Sequence, residues 1–523
     1  MDSRQGGRFG GRAKIAGLVL GAFVAGVATG ALLVARPSLD TLKTQARNAA
    51  DKLSDSLPGS AGARASASQT APAELARAVE TGLPQVGAWA GRILPPPRFD
   101  GAGRALPSSA ADLERAARAG PRPPAGPVVR VASVKELRKA LEQATPGSVI
   151  EIAPGTYEVR GSNLGITAAG LPSHPITVRA ARLGQVRLQF RIREGFHVRA
   201  PFWVFENLII EGTCRKHNRC DHAFHIVGDA DGTVVRNNII LDFNSHMKIN
   251  GLARQGKFPD GGLVEFNTLR GSTPRQTDKP ATPIDVVGAS DLTIRRNVIA
   301  DFHRLGGKQI SYAAFIKGNA SGGILEQNLV ICELLHRGGI RLGLSFGGGG
   351  TGSRSCVGGD CTTEHTGGII RNNIIMHCPA DVGIYLNRSA GTVVHNNILY
   401  NTLGIDVRFD TTDATVFNNV VDGRIKERNG GRARIGHNLT LSGGLDPAAL
   451  FAAPQAGDFQ LKTPDKVLKA GQPADGAGQG LGEDLGEDLG EDFCGRAHDR
   501  ARPDIGPFSY RHDRACPAAL VAR

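Results

Sequence analysis

Large rings are scarce in this chain. Aromatic residues make up 5% of 523 residues, with only two Trp and five Tyr, against 69 Gly. That balance suits a coil of many tight turns. None of the eight Cys forms a CxxC pair, which argues against a cysteine-built zinc site. No zinc-finger, helix-turn-helix or RNA-binding signature occurs, so nucleic acid is set aside as a partner. The glycine-rich stretch SFGGGGTGSRSCVGGDCTTEHTGG, residues 345–368, is followed by no Lys-Ser or Lys-Thr and lies in no βαβ unit. A phosphate loop is thereby excluded, and a disulfide-pinned loop over one face is expected. Acidic residues are outnumbered too. Lys and Arg total 62 against 49 Asp and Glu, a formal charge of +13, most of it in the repeat region described next. Such a surface favours anionic partners, acidic polysaccharide first among them.

What the chain does have is a repeat. VFENLI, VRNNII, VEFNTL, IRRNVI, LEQNLV, IRNNII, VHNNIL, VFNNVV and IGHNLT share an apolar residue, two variable residues, an asparagine and an apolar run. The asparagines are Asn207, Asn238, Asn267, Asn297, Asn328, Asn373, Asn397, Asn419 and Asn438. They recur roughly every 20–30 residues with one longer gap, the mark of a solenoid. The flanking runs are short and β-branched, bounded by Gly, Asn, Asp and Ser, hence strands. The expected fold is all-β: a right-handed parallel β-helix whose strands stack on their equivalents in neighbouring rungs. Asn tolerates the left-handed geometry of a sharp corner, and stacked amides can bond one another as a ladder. The asparagines therefore read as corner residues.

The remainder divides by composition. Residues 1–14 are basic. Residues 15–35, IAGLVLGAFVAGVATGALLVA, carry no charge and are long enough to cross a bilayer. With the basic side kept in the cytoplasm, they read as a transmembrane signal anchor in the inner membrane that places the body in the periplasm. Secretion after signal cleavage is the alternative. Residues 36–125, rich in Ala, Pro, Ser and Gly, read as a flexible linker. Residues 126–445 form the β-helix domain, opened by a capping helix: Ser133 and Glu136 make a capping box for VKELRKALEQA. Residues 446–523 are an irregular tail packing on it. Within that tail LGEDLGEDLGED reads as a low-complexity insertion. Export suits disulfides, and the spacing suggests Cys214 with Cys220, Cys332 with Cys378, Cys356 with Cys361, and Cys494 with Cys516.

A further strand precedes most ladder asparagines: AFHIVGD, HMKINGL, IDVVGAS, AFIKGNA, GLSFGGG, GIYLNRS and GIDVRFD. Alternation turns Phe224, Ile226, Met247, Ile249, Ile284, Val286, Ala314, Ile316, Ile384, Leu386, Ile405 and Val407 inward. It turns His225, His246, Lys248, Asn250, Asp285, Phe315, Lys317, Ser345, Tyr385, Asn387, Asp406 and Arg408 outward. One sheet thus presents a column of ionisable, amide and aromatic groups, while its neighbours are expected to show far fewer. A flat sheet with such a column suits an extended acidic sugar chain. His225, His246, Asn250, Asp285, Asn387, Asp406 and Arg408 are the candidate binding residues.

Three stretches resemble the pectin-lyase-like superfamily, and within it the chondroitinase B and alginate lyase group, polysaccharide lyase family 6. They are GSVIEIAPGTYEV with PITVRAA, HMKING with FNTL, and DFQLKTPDKVLKAG with RPDIGPFSY. The resemblance implies β-elimination of a uronate chain and points to Lys248 as the base. Calcium enters as a candidate cofactor on the same ground, although no acidic cluster for it is placed and the metal ligands stay unknown. The group's second catalytic arginine is absent: that rung reads PIDVVGAS, with Asp285 and Val287, and Lys317 follows one rung on. Elimination needs a cation facing the carboxylate, a neutral base, and a donor to the leaving oxygen, for which Tyr385 or Lys317 are candidates. Three other readings stay open. They are hydrolysis by Asp285 and Asp406, uronate epimerisation, and a non-catalytic module that binds or guides an exopolysaccharide.

Overall fold

A computed structural model describes residues 126–308, 310–441, 444–462, 466–467, 469–471, 489–499 and 501–510, with a strand pair at Arg98–Phe99 and Ala105–Leu106. Residues 15–35, expected to anchor the chain, most of the expected linker, and Cys516 lie outside the described residues. Among the described residues no helix is long and apolar enough to cross a membrane.

Each rung contributes short strands in a fixed order. Val234–Arg236, Ile239–Leu241 and Ser245–Asn250 make one such set. Equivalent strands stack in parallel into three sheets of twelve, eleven and ten strands. The first runs from Val128–Val131 to Arg432–Gly436, the second from Gly155–Val159 to Leu439–Thr440, the third from Leu164–Ile166 to Arg424–Arg428. This is a parallel β-helix. Its interior holds the inward residues named above, each 3% exposed or less. The scarce aromatics gather there in the early rungs, where Phe196 packs on Phe190, Phe205 and Phe224. Before the first full rung, helix Val134–Glu142 starts at Ser133, whose side chain accepts from the Glu136 N–H. It packs Leu137, Ala140 and Leu141 into the same core.

The corner between the first and second sheets carries the amide ladder. Each Nδ2 donates to the next Oδ1 at 2.9–3.1 Å, from Asn238 through Asn267, Asn297, Asn328, Asn373, Asn397 and Asn419 to Asn438. Each Oδ1 also accepts the backbone N–H of the preceding ladder residue, as Asn328 does from Asn297 at 3.1 Å. Two details differ from expectation. The left-handed residue is the one before the ladder asparagine, whatever its type: Asn237, Phe266, Arg296, Gln327, Asn372, Asn396, Asn418 and His437 all have φ between 51° and 56°. Asn207 belongs to that position, with φ 64°, so Leu208 occupies the ladder site and donates its N–H to Asn238 Oδ1.

The first sheet departs more. Its outer face carries a charge column of alternating sign, in register from strand to strand: Arg130, Glu151, Arg179, Glu206, Arg236, Glu265, Arg295, Glu326 and Arg371. Ion pairs include Arg179–Glu151 at 2.9 Å, Arg236–Glu206 at 2.6 Å, Arg295–Glu265 at 2.8 Å and Arg371–Glu326 at 2.9 Å. Few ionisable groups were expected outside the third sheet. From Glu206 onward the alternating residue stands two before each ladder position, at one of the motif's variable places. Opposite charges directly across adjacent strands attract, so this column neutralises itself.

From strand Val298–Ala300 onward the second sheet's outer face is apolar and covered. Ile331, Ile374, Met376, Ile398 and Val420 pack under Leu450, Phe451, Phe459, Phe493, Ile505 and Phe508 of the C-terminal segment. Cys214–Cys220, Cys332–Cys378 and Cys356–Cys361 are bonded as expected, and Cys332–Cys378 joins adjacent rungs. Cys494 is also disulfide-bonded.

Candidate active site

The outward residues of the third sheet fall into parallel columns. One reads His197, His225, Lys248, Asp285, Phe315, Ser345, Tyr385, Asp406 and Lys426. Two residues along each strand, Asn250, Val287 and Lys317 align, as do Gly347, Asn387, Arg408 and Arg428. Gly347 must be glycine: its φ is +73°, and a Cβ there would lie 1.8 Å from Asn387 O.

Ser345 is buried despite its outward parity, and so is His246. Alternation was expected to expose it, but it is 2% exposed, and its Nε2 lies 3.2 Å from Arg270 O. Burial pushes its pKa down to about 3, so it stays neutral and structural.

The remaining expected residues form two clusters. At the near end, Lys248 Nζ lies 2.7 Å from Asp285 Oδ1. His225 Nε2 is 3.0 Å from Asn250 Oδ1. Lys317 Nζ sits over the Phe315 ring, 4.8 Å from its centroid, and donates to Gly349 O at 3.4 Å. Among the described residues no carboxylate reaches ion-pair distance of Lys317. Burial lowers the Lys317 pKa; Asp285 and Glu364 oppose the shift, and Lys248 adds to it. Both lysines therefore face one electrostatic neighbourhood.

At the far end, the Tyr385 hydroxyl accepts from Asn387 Nδ2 at 2.9 Å and Arg408 Nη1 at 3.2 Å. Asp406 pairs with Arg428, and Asp406, Asn387 and Tyr385 are 3–7% exposed. Three strand spacings, about 14 Å, separate the Asp285 rung from the Tyr385 rung. Asp285 and Asp406 are about 19 Å apart on the same measure, beyond the reach of a hydrolytic carboxylate pair.

The glycine-rich segment lies beside these columns. Glu364 is fully buried and ties it down, accepting from Gly318 N at 2.9 Å and Thr351 Oγ1 at 2.8 Å. Its Thr351, Asp360 and Thr362 line an open polar cavity of about 420 Å³ with Arg388, Asp410 and Thr411.

Sequence reasoning missed Glu194 and His197. With His225 they form a group whose ligand atoms lie within 4.8 Å of one another. His225 Nδ1 is 3.3 Å from Glu194 Oε2, and the His197 and His225 rings stack at 4.9 Å. The hydrogen bond from His225 holds the Glu194 carboxyl below its usual range, and burial lowers the His197 pKa. The signal was present: EGFH, residues 194–197, and HAFH, residues 222–225, place Glu194 over His222 and His197 over His225. Two imidazoles and one carboxylate suit a first-row divalent ion, whereas calcium prefers oxygen ligands throughout. These residues therefore do not fit calcium.

No protein-family model matches the chain. No curated protein matches it either. Solved structures do. Pectate lyase Pel9A aligns at 14% identity with a TM-score of 0.51, over 71% of this chain and 90% of that one. An alginate lyase from Paenibacillus sp. aligns at 17% identity and TM-score 0.33, over 60% and 95%. A rhamnogalacturonan lyase aligns at 13% and 0.40, over 59% and 83%. Its stacked parallel sheets make the chain a parallel β-helix, a fold it shares with Pel9A.

Proposed function

We propose that the outer face of the third sheet binds an acidic polysaccharide and cleaves it by β-elimination at a uronate residue. The observation that carries this reading is a pair of unequal lysines on one face: Lys248 held by Asp285, and Lys317 desolvated without a carboxylate partner. Pel9A, which shares the fold, is a pectate lyase, and this supports the reading.

The two lysines divide the proton work. Lys248 was expected to be the base. Its ion pair with Asp285 suits the other role better, because an ammonium is a donor. Lys317, with its pKa lowered by burial, takes the proton from C5. The C4–O bond breaks, a C4–C5 double bond forms, and Lys248 returns a proton to the leaving oxygen, so no water is consumed. Tyr385 and Asn387 lie two strands beyond Lys317 and Arg408 three, and they serve to bind the chain. His225, Asn250 and Asp285 line the reacting end. Anchoring through residues 15–35 would hold this groove on the periplasmic side of the inner membrane.

The test is to incubate the full chain with alginate, chondroitin, dermatan, heparin and pectate and follow the ultraviolet absorbance of unsaturated uronate. Product from at least one polymer is expected, and it should vanish in Lys317→Ala. A second reading is a non-catalytic binding module, favoured by the internal neutralisation of Lys248 by Asp285 and Arg428 by Asp406. Retention on polyanion columns without product from any polymer would select it.

A further inference from the structure

The hydrogen bonds around His225 require a particle that they do not themselves supply. Asn250 Nδ2 donates to Gly251 O at 3.1 Å, which turns Asn250 Oδ1 toward His225 Nε2 at 3.0 Å. That nitrogen therefore carries the ring hydrogen. The other nitrogen, Nδ1, faces Glu194 Oε2 at 3.3 Å. In the neutral ring, both of those atoms present lone pairs. A proton or a cation must sit between them. Nearby, the His222 ring lies 5.6 Å from that of His225, and its Nδ1 is buried without a hydrogen-bond partner.

We propose that Glu194, His197 and His225 bind a first-row divalent metal of the zinc class, with an open coordination position that takes a sugar carboxylate. Three side chains converge from two adjacent strands, Glu194–Val198 and His222–Val227, so backbone pairing fixes their spacing. An outer partner is in place for one imidazole: Asn250 Oδ1 on His225 Nε2. Such a partner orients a ligating imidazole. Two nitrogens and one oxygen favour zinc over calcium. Three protein ligands leave the fourth tetrahedral position for water or substrate. The Glu194 and His225 side chains are 24% and 20% exposed, so a ligand can reach it. His225 pairs in register with Lys248, which sets the metal one strand from Lys248 and three from Lys317. The metal site stands on its own geometry; only the choice of a carboxylate as its ligand rests on the elimination reading.

The experiment uses the full chain stripped with chelator and titrated calorimetrically with zinc chloride, then separately with calcium chloride. One zinc per chain is expected, with no calcium heat under the same conditions. Glu194→Gln and His225→Gln should each weaken zinc binding at least about tenfold. Zinc should raise the melting temperature of the parent and not of the variants; His197→Asn replaces either variant if it fails to fold. The cobalt(II)-loaded chain should change its visible absorption when glucuronate is added. No zinc binding, zinc binding indifferent to all the substitutions, or a preference for calcium would overturn the metal site. An unmoved cobalt spectrum would overturn the carboxylate ligand. Zinc binding that persists while no polymer is cleaved would separate this site from the elimination reading.

Discussion

Lys248 Nζ and Asp285 Oδ1 meet at 2.7 Å across adjacent strands of the third sheet, at the centre of its outer face. Asp285 thus offsets part of the groove's positive field. Asp285→Asn removes that offset. The variant should elute from a polyanion column at higher salt than the parent, by the logic of an exposed cation gaining reach. Unchanged elution would show that the anion binds elsewhere.

The same carboxylate acts on Lys317, raising a pKa that burial lowers. A lysine base must be neutral, so the cleavage rate should climb with pH and level off below the ordinary lysine value of about 10.4. In Asp285→Asn the climb should move to lower pH. Stability follows the same sign. The folded state favours neutral Lys317, so charging it opposes folding below its depressed pKa, and this penalty fades as pH rises towards the unfolded value. Lys317→Met should therefore melt higher than the parent at neutral pH, with the gap closing as the pH approaches that value. A constant gap would mean that Lys317 is not desolvated.

The amide ladder should be the solenoid's most sensitive polar element. Asn328→Ala removes a side chain that is fully buried. It leaves the backbone N–H of Asn297 without its acceptor and breaks the bond to Asn373. A buried orphan costs about 1–3 kcal/mol, beyond the lost bonds themselves. Chemical denaturation should show a loss of that size or more, and a loss near zero would mean that water replaces the amide.

Cys332–Cys378 closes a loop with a sequence separation of 46 and joins neighbouring rungs. Constraint of the unfolded chain by such a loop is worth about 4 kcal/mol. The double Cys→Ala variant should lose stability of that order, measured against the parent under non-reducing conditions. Equal stability of the two would show that the rungs need no staple.

Much of this architecture is readable without coordinates. The ladder, the inward residues and the close cysteine pairs follow from a period that the chain repeats openly. Register was harder. VFENLI resembles VRNNII, yet the left-handed corner falls one residue before the ladder, so Asn207 aligns with Asn237 and not with Asn238. The Arg–Glu column was hidden by the same motif: its members occupy the second place of VRNNII, VEFNTL, IRRNVI, LEQNLV and IRNNII, and only stacking turns their alternation into pairs. Period-two alternation failed at His246 because it says which way a side chain leaves the sheet, not what covers it. Glu194 and His197 escaped notice because they lie one rung before the strands that looked functional. Their chemistry exists only when EGFH is laid beside HAFH.

The most direct test of the whole account is the ultraviolet assay on uronate polymers with the full chain and its two lysine variants. Removing a general base or acid lowers a rate typically by about 10²–10⁴. The account predicts unsaturated product from the parent, and a loss of that order in both Lys317→Ala and Lys248→Ala with both variants still retained on the polymer. Full activity in either variant would contradict it.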